Sequence, residues 1–158
     1  MITGKNGSGK TTLLNIISGE DKEFDGDVTY GSTVEIGYVR QFSTLNKNKS
    51  ILRVFEENTG IIEPESRRVL ARYFFAVDQV HSSVSTLSFG QLKRLDLAII
   101  LAKKPSLLIL DEPTNHLDIY TLEDLESFIT EQKIPMIIVS HDRYFLEKIN
   151  PTDIIDLS

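Results

Sequence analysis

The chain has 158 residues, 41% hydrophobic and 25% charged, with a formal net charge of -6. This balance describes one soluble globular unit large enough to bury a core, and its acidic sum excludes a nucleic-acid binder held by a basic face. The longest apolar runs, Leu107 to Leu110 and Met136 to Val139, are strand-sized and exclude a membrane-spanning helix; the lack of cysteine excludes a disulfide framework or thiolate metal site and fits a cytoplasmic location.

The first element in chain order is a loop. Gly4-Lys5-Asn6-Gly7-Ser8-Gly9-Lys10-Thr11 matches G-x-x-x-x-G-K-[ST], and Thr12 continues it into the helix-compatible run Thr12 to Ile17. Glycines let successive backbone N–H groups turn toward a polyphosphate, the Lys10 ammonium reaches the terminal phosphates, and the Thr11 hydroxyl is placed to ligate Mg²⁺. The helix that follows offers its N-terminus to the same anion. Such a loop needs a strand immediately before it, and only Met1, Ile2 and Thr3 stand there. The expectation is a stub of a strand in a cassette truncated at its N-terminus, lacking sheet partners normally supplied from upstream. The loop also stands where a signal peptide would.

Further along, Gly19 to Asp27 is a polar turn region. Val28-Thr29-Tyr30 and Val34 to Val39 read as two short strands around Gly31-Ser32, the second ending at Arg40-Gln41. Phe42 to Ser50 is polar, and its Lys47-Asn48-Lys49 reads as a solvated loop. Apolar residues then recur at three- and four-residue spacing from Ile51 to Val77, with Pro64 near a helix start, which predicts a helical insert spanning about 50–103. Its last helix opens at Ser88-Phe89-Gly90-Gln91, where Ser-x-x-Gln is a capping box, and ends before Pro105. Strand, helix, strand and short helix alternate from Leu107 to Ile155, predicting a mostly parallel sheet covered by helices.

Leu107-Leu108-Ile109-Leu110-Asp111-Glu112 is an apolar strand ending in two carboxylates. A strand of this kind delivers its acids to the carboxyl edge of the sheet, where α/β proteins bind ligands. Asp111 is placed to hold Mg²⁺ through its water shell and Glu112 to polarise an attacking water.

Five motifs in order, GKNGSGKTT, the Gln41 of GYVRQF, LSFGQ at Leu87 to Gln91, LLILDEP, and the His141 of VSHDRYFL, resemble an ATP-binding-cassette ATPase. The contiguous LDEPTNHLD from Leu110 to Asp118, with VSHDRYFL, is similar to the soluble, translation-associated ABC-F branch. The resemblance implies a P-loop NTPase cassette of α/β class over 1–158, hydrolysing MgATP to ADP and phosphate. It also implies that Gln41 reaches Mg²⁺ and the water, that His141 contacts the γ-phosphate, and that Ser88, Gly90 and Gln91 form a signature closing over nucleotide held by a second cassette. Asp118 would contact that second cassette, and the ribosome is the implied partner. No direct nucleic-acid motif or transmembrane segment is read here. Three departures from the family pattern are read. Phe89 occupies a slot that is usually glycine and is expected to narrow the partner's approach. The upstream segment that in the family supplies the adenine-stacking aromatic is expected to be missing, leaving no candidate for base recognition. The chain also carries one cassette without the helical linker that joins two in the family. The alternatives are an ATPase subunit of a membrane transporter and a catalytically incompetent nucleotide-binding fragment.

Overall fold

In the computed structural model the structure describes residues 1–115, 117 and 119–157. Five strands form one sheet in the order β2-β3-β4-β1-β5. The strands are β1 (Ile2–Thr3), β2 (Ile36–Val39), β3 (Leu107–Asp111), β4 (Met136–Val139) and β5 (Ile155–Asp156). Every pairing between them is parallel. Parallel strands need crossovers with a covering layer. The crossovers run through α1 (Lys10–Ile17), α2 (Ile51–Thr59), α3 (Glu65–Arg72), α4 (Phe89–Ala102), α5 (Ile119–Glu131) and α6 (Arg143–Ile149).

The period of two along β3 distributes the core. Leu108 and Leu110 join Leu97, Leu125, Ile129 and Phe145 on one face, while Ile109 packs with Ile2, Leu14 and Val139 on the face covered by α1. A third cluster unites Ile51, Phe55, Leu70, Val80, Leu95 and Ile99 of α2, α3, a short 3-10 turn and α4. The apolar positions from Ile51 to Phe55 and at Val69, Leu70 and Tyr73 pack the helices on one another, whereas Phe74 and Val77 of the same pattern are exposed; α4 belongs to this cluster while its Leu97 faces the sheet cluster.

β1 does have sheet partners within the chain. Its Ile2 is opposite both Val139 and Ile155, is 2% exposed, and lies between β4 and β5, so two residues suffice when both edges are paired. The expected strand at Val28-Thr29-Tyr30 is absent, which corrects the two-strand reading. The Val34 N–H turns back to the Gly31 carbonyl and the Tyr30 hydroxyl donates to the Ile16 carbonyl. The segment therefore lies along α1, and only Ile36–Val39 pairs, with β3.

Gly37 explains how closely β2 approaches α4. A Cβ there would stand 2.5 Å from Ile100 Cγ2 and 3.0 Å from Pro105 Cγ. Overpacking of this kind costs roughly 1–3 kcal/mol. Gly37→Ala is expected to lower the denaturant midpoint accordingly at unchanged m-value, and an unshifted midpoint would show that α4 moves off the sheet edge freely.

Candidate nucleotide-binding site

The loop between β1 and α1 is shaped by its glycines. Gly9 caps α1 with φ 91° and Gly4 has φ 143°, in the region that a side chain penalises. At Gly4 a Cβ would also fall 2.7 Å from Ser8 Oγ. Wrapped this way, the loop turns its carbonyls onto its own lysine: Lys10 Nζ donates to the Gly4 and Lys5 carbonyls at 2.8 and 2.9 Å and is only 8% exposed.

Across the sheet edge, Thr11 Oγ1 donates to Asp111 Oδ2 at 2.9 Å. The Tyr38 hydroxyl reaches the same oxygen at 3.5 Å and Asn15 Oδ1 at 3.2 Å. Burial and then the Asp111 charge hold the Tyr38 phenol well above its ordinary range. The other Asp111 oxygen, Oδ1, is buried without a protein partner. An unpaired carboxylate oxygen beside a threonine hydroxyl matches the hard oxygen donors that Mg²⁺ prefers. Among the described residues no cluster of three or more His, Cys, Asp and Glu could hold a metal, so a cation here would share its shell with water and ligand oxygens.

Glu112 follows directly, at φ 45°, a left-handed backbone uncommon outside glycine. Its N–H bonds to the Val139 carbonyl at 2.8 Å. The side chain is thereby turned to His141, whose Nε2 lies 3.2 Å from Oε1 and whose N–H donates to Oε2 at 3.3 Å. Burial raises the Glu112 proton affinity, and the nearby His141 opposes this. The 29-residue gap between Glu112 and His141 is closed by the β3–β4 register, Asp111 opposite Val139, and the 100-residue gap between loop and acids by that register together with β1 on β4, Ile2 opposite Val139.

A cleft of about 570 Å³ collects Asn6, Gly7, Gly9, Lys10, Thr11, Thr12, Gln41, Asp111, Glu112 and His141, together with Asn115 and Val139. Gly4, Lys5 and Ser8 shape the loop from behind. Ser88, Gly90 and Gln91 do not line this cleft. They start α4 with a complete capping box, the Gln91 N–H on Ser88 Oγ and the Ser88 N–H on Gln91 Oε1. Phe89 is half-buried, its ring 5.9 Å from Lys93 Nζ. Asp118 lies outside the described residues. Asn115 went unassigned in the sequence although it sits within the DEPTN run; its N–H bonds back to the Glu112 carbonyl. Lys93 and Asp96 also went unassigned, because two charges on a mostly apolar helix carry no pattern by themselves. Lys93 Nζ donates to the carbonyls of Arg40 and Gln41, and Ser43 Oγ donates to Asp96 Oδ1 at 2.9 Å.

A glycine loop wrapped on a lysine between parallel strand and helix, faced by a strand-end Asp-Glu pair and a histidine, defines a P-loop NTPase of α/β class. Solved structures agree on the fold: the dimeric bacterial ABC transporter cassette MJ0796 superposes with a TM-score of 0.79 at 26% identity, over 98% of this chain and 78% of that one. The chain belongs to the ABC transporter family, whose match spans residues 1–115. Its curated relatives include the ATP-binding protein Uup of Buchnera aphidicola, 43% identical over 92% of the chain. They also include the energy-dependent translational throttle protein EttA of Escherichia coli K12, 40% identical over 98%. These are ABC-F type proteins, the branch that LDEPTNHLD and VSHDRYFL resemble. The chain spans 26% and 29% of their respective lengths.

Burial pushes the Asp96 carboxyl up to about 6 from its usual 3.8, against the Ser43 hydrogen bond and the Lys93 charge. Folding thus favours the protonated acid. Its contribution to stability is fully present below about pH 4 and is lost as the pH rises through about 6. Asp96→Asn should therefore gain stability relative to wild type between pH 4 and 7, by at most about 3 kcal/mol at 1.36 kcal/mol per unit. Denaturant titrations at the two pH values would read this gain, and a pH-independent difference would refute it.

Proposed function

We propose that this cassette binds MgATP and hydrolyses it to ADP and phosphate by direct attack of water on the γ-phosphate. The observation that carries the reading is the convergence on one cleft of Lys10, the Thr11–Asp111 pair with its unpaired oxygen, and the Glu112–His141 pair. In this reading the loop N–H groups from Asn6 to Thr12 cradle the phosphates and Lys10 exchanges its loop carbonyls for phosphate oxygens. Thr11, Asp111 and Gln41 hold Mg²⁺, partly through water. The cation, when bound, neutralises charge on the phosphate oxygens. Glu112 polarises the attacking water and accepts its proton, while His141, held against that carboxylate, orients the pair toward the γ-phosphate. Positioning and charge stabilisation supply most of the rate.

Ser88, Gly90 and Gln91 act in trans. The capped N-terminus of α4 offers free amides and a positive dipole end to the γ-phosphate held by a second cassette, and Asp118 contributes to the contact between cassettes. The description of MJ0796 as dimeric, in one case with ADP and phosphate bound, supports this arrangement. The domain in this reading is a single cassette, 1–158, with a helical subdomain at about 50–103. The ribosome is the partner proposed for the longer protein, because EttA, named for an energy-dependent effect on translation, matches nearly the whole chain. Among the described residues no helix is long and apolar enough to cross a membrane, and a cytoplasmic location is part of the same proposal.

Lys10→Ala should weaken MgATP binding by roughly tenfold or more, since hydrogen bonds to charged groups contribute about 1.5–3 kcal/mol each. Equal affinities in calorimetry would sink the loop assignment. Glu112→Gln should keep MgATP affinity within about twofold while turnover falls roughly 10²–10⁴-fold, the usual range for a general base. Wild-type turnover in this variant would remove Glu112 from the chemistry. In the longer, two-cassette protein with ATP present, the same substitution should make it sediment with ribosomes through sucrose. Trapping without sedimentation would leave the ATPase reading standing and reject the ribosome.

A further inference from the structure

Lys93 is a charged side chain with 3% exposure, on a helix otherwise packed with leucine, isoleucine and alanine. Burying an ammonium costs several kcal/mol unless its donors are satisfied, and a methionine of similar length would fill the same space without that cost. What the ammonium does is hold backbone. It donates to the Arg40 carbonyl and, at 3.0 Å, to the Gln41 carbonyl. These are the two residues that follow β2, whose last residue is Val39.

One turn on, Asp96 accepts from the Ser43 hydroxyl at 2.9 Å, and Ser43 Oγ in turn accepts from the Leu45 N–H at 3.4 Å. Two charged positions of α4 one turn apart therefore grip both sides of Gln41, a residue that lines the cleft. At the other end, Lys93 lies one turn from Phe89, with Nζ 5.9 Å from the ring centroid, within cation–π range. The Phe89 ring thus stands beside the ammonium that holds the Gln41 backbone.

We infer that Lys93 and Asp96 latch the Gln41 loop to α4, making Lys93 a positioning residue for Gln41 and tying the placement of Gln41 to the helix that starts at the signature. This rests on the reading of Gln41 as an Mg²⁺-reaching residue. Its consequence is specific: the latch acts on the part of nucleotide affinity that depends on the cation. A merely structural lysine would change affinity equally with and without Mg²⁺.

The test measures ATP affinity of the chain by calorimetry in Mg²⁺ and again in EDTA, for wild type, Lys93→Met, Ser43→Ala and Gln41→Ala. The ratio of the two dissociation constants is the readout. Lys93→Met should shrink that ratio roughly 3–10-fold, as the loss of charge-assisted hydrogen bonds predicts, with EDTA affinity changed less than about twofold. Ser43→Ala should shrink it in the same direction by a smaller factor. Ratios unchanged in both variants beside a reduced ratio in Gln41→Ala overturn the latch, as does a loss that is equal in Mg²⁺ and EDTA. An unchanged ratio in Gln41→Ala overturns the Gln41 reading and the latch with it. If Lys93→Met does not fold, Ser43→Ala decides alone, because that hydroxyl lies on the loop and its removal leaves the ammonium in place.

Discussion

The parallel pairing of β3 with β4, with Asp111 opposite Val139, is the constraint on which the site depends. β3 is apolar from Leu107 to Leu110 and buried on both faces, so its direction and register are held by two separate hydrophobic clusters. A one-residue slip would turn Leu108 and Leu110 to the α1 face and Ile109 to the opposite face. The two acids stand where that strand leaves the sheet, and the β4 strand ends beside them in Ser140-His141. The Glu112 backbone then adopts a left-handed conformation to return its N–H to Val139, which directs its carboxylate at His141. Strain of about 1–3 kcal/mol at such a residue persists where the surroundings over-determine it, and here the sheet does so.

Around this pair the molecule brings three segments distant in sequence to one edge. The glycine loop arrives because β1 is paired on both sides, even at two residues. The Gln41 loop arrives because β2 pairs with β3 and Gly37 lets α4 lie close against it. The connection from α4 to the loop is polar and the connection from α4 to the sheet is apolar, so one helix serves both as a wall of the core and as the support of a cleft residue. Asp96, held at the boundary of the insert, carries the electrostatic cost of that double role in its raised proton affinity.

The solved cassette MJ0796, which superposes on this chain, is dimeric, and within this chain the cleft and the start of α4 are separate features. The cleft is lined by residues of the glycine loop, the strand-end acids and His141, whereas Ser88 and Gln91 cap α4 away from it.

The sequence by itself determined the chemistry that depends on local spacing. The glycine loop, the strand-end acids, the capping box and the period-two and period-3.6 patterns all depend on neighbours within a few residues, so the strands Leu107–Asp111 and Met136–Val139 and the helices from Ile51 onward were legible, as was the family. What depends on distant contacts was not. Val28 to Tyr30 has the composition of a strand but pairs with none, although β2 at the sheet edge leaves one side open, and Tyr30 instead donates its hydroxyl to the Ile16 carbonyl of α1. The two-residue β1 reads as a stub until β4 and β5 are seen on either side. Asn115, Lys93 and Asp96 carried no role in the sequence. Only the packing of α4 against the Gln41 loop turned those two charges inward, since burial and hydrogen-bond partners are properties of the assembled layers and leave no period in the chain.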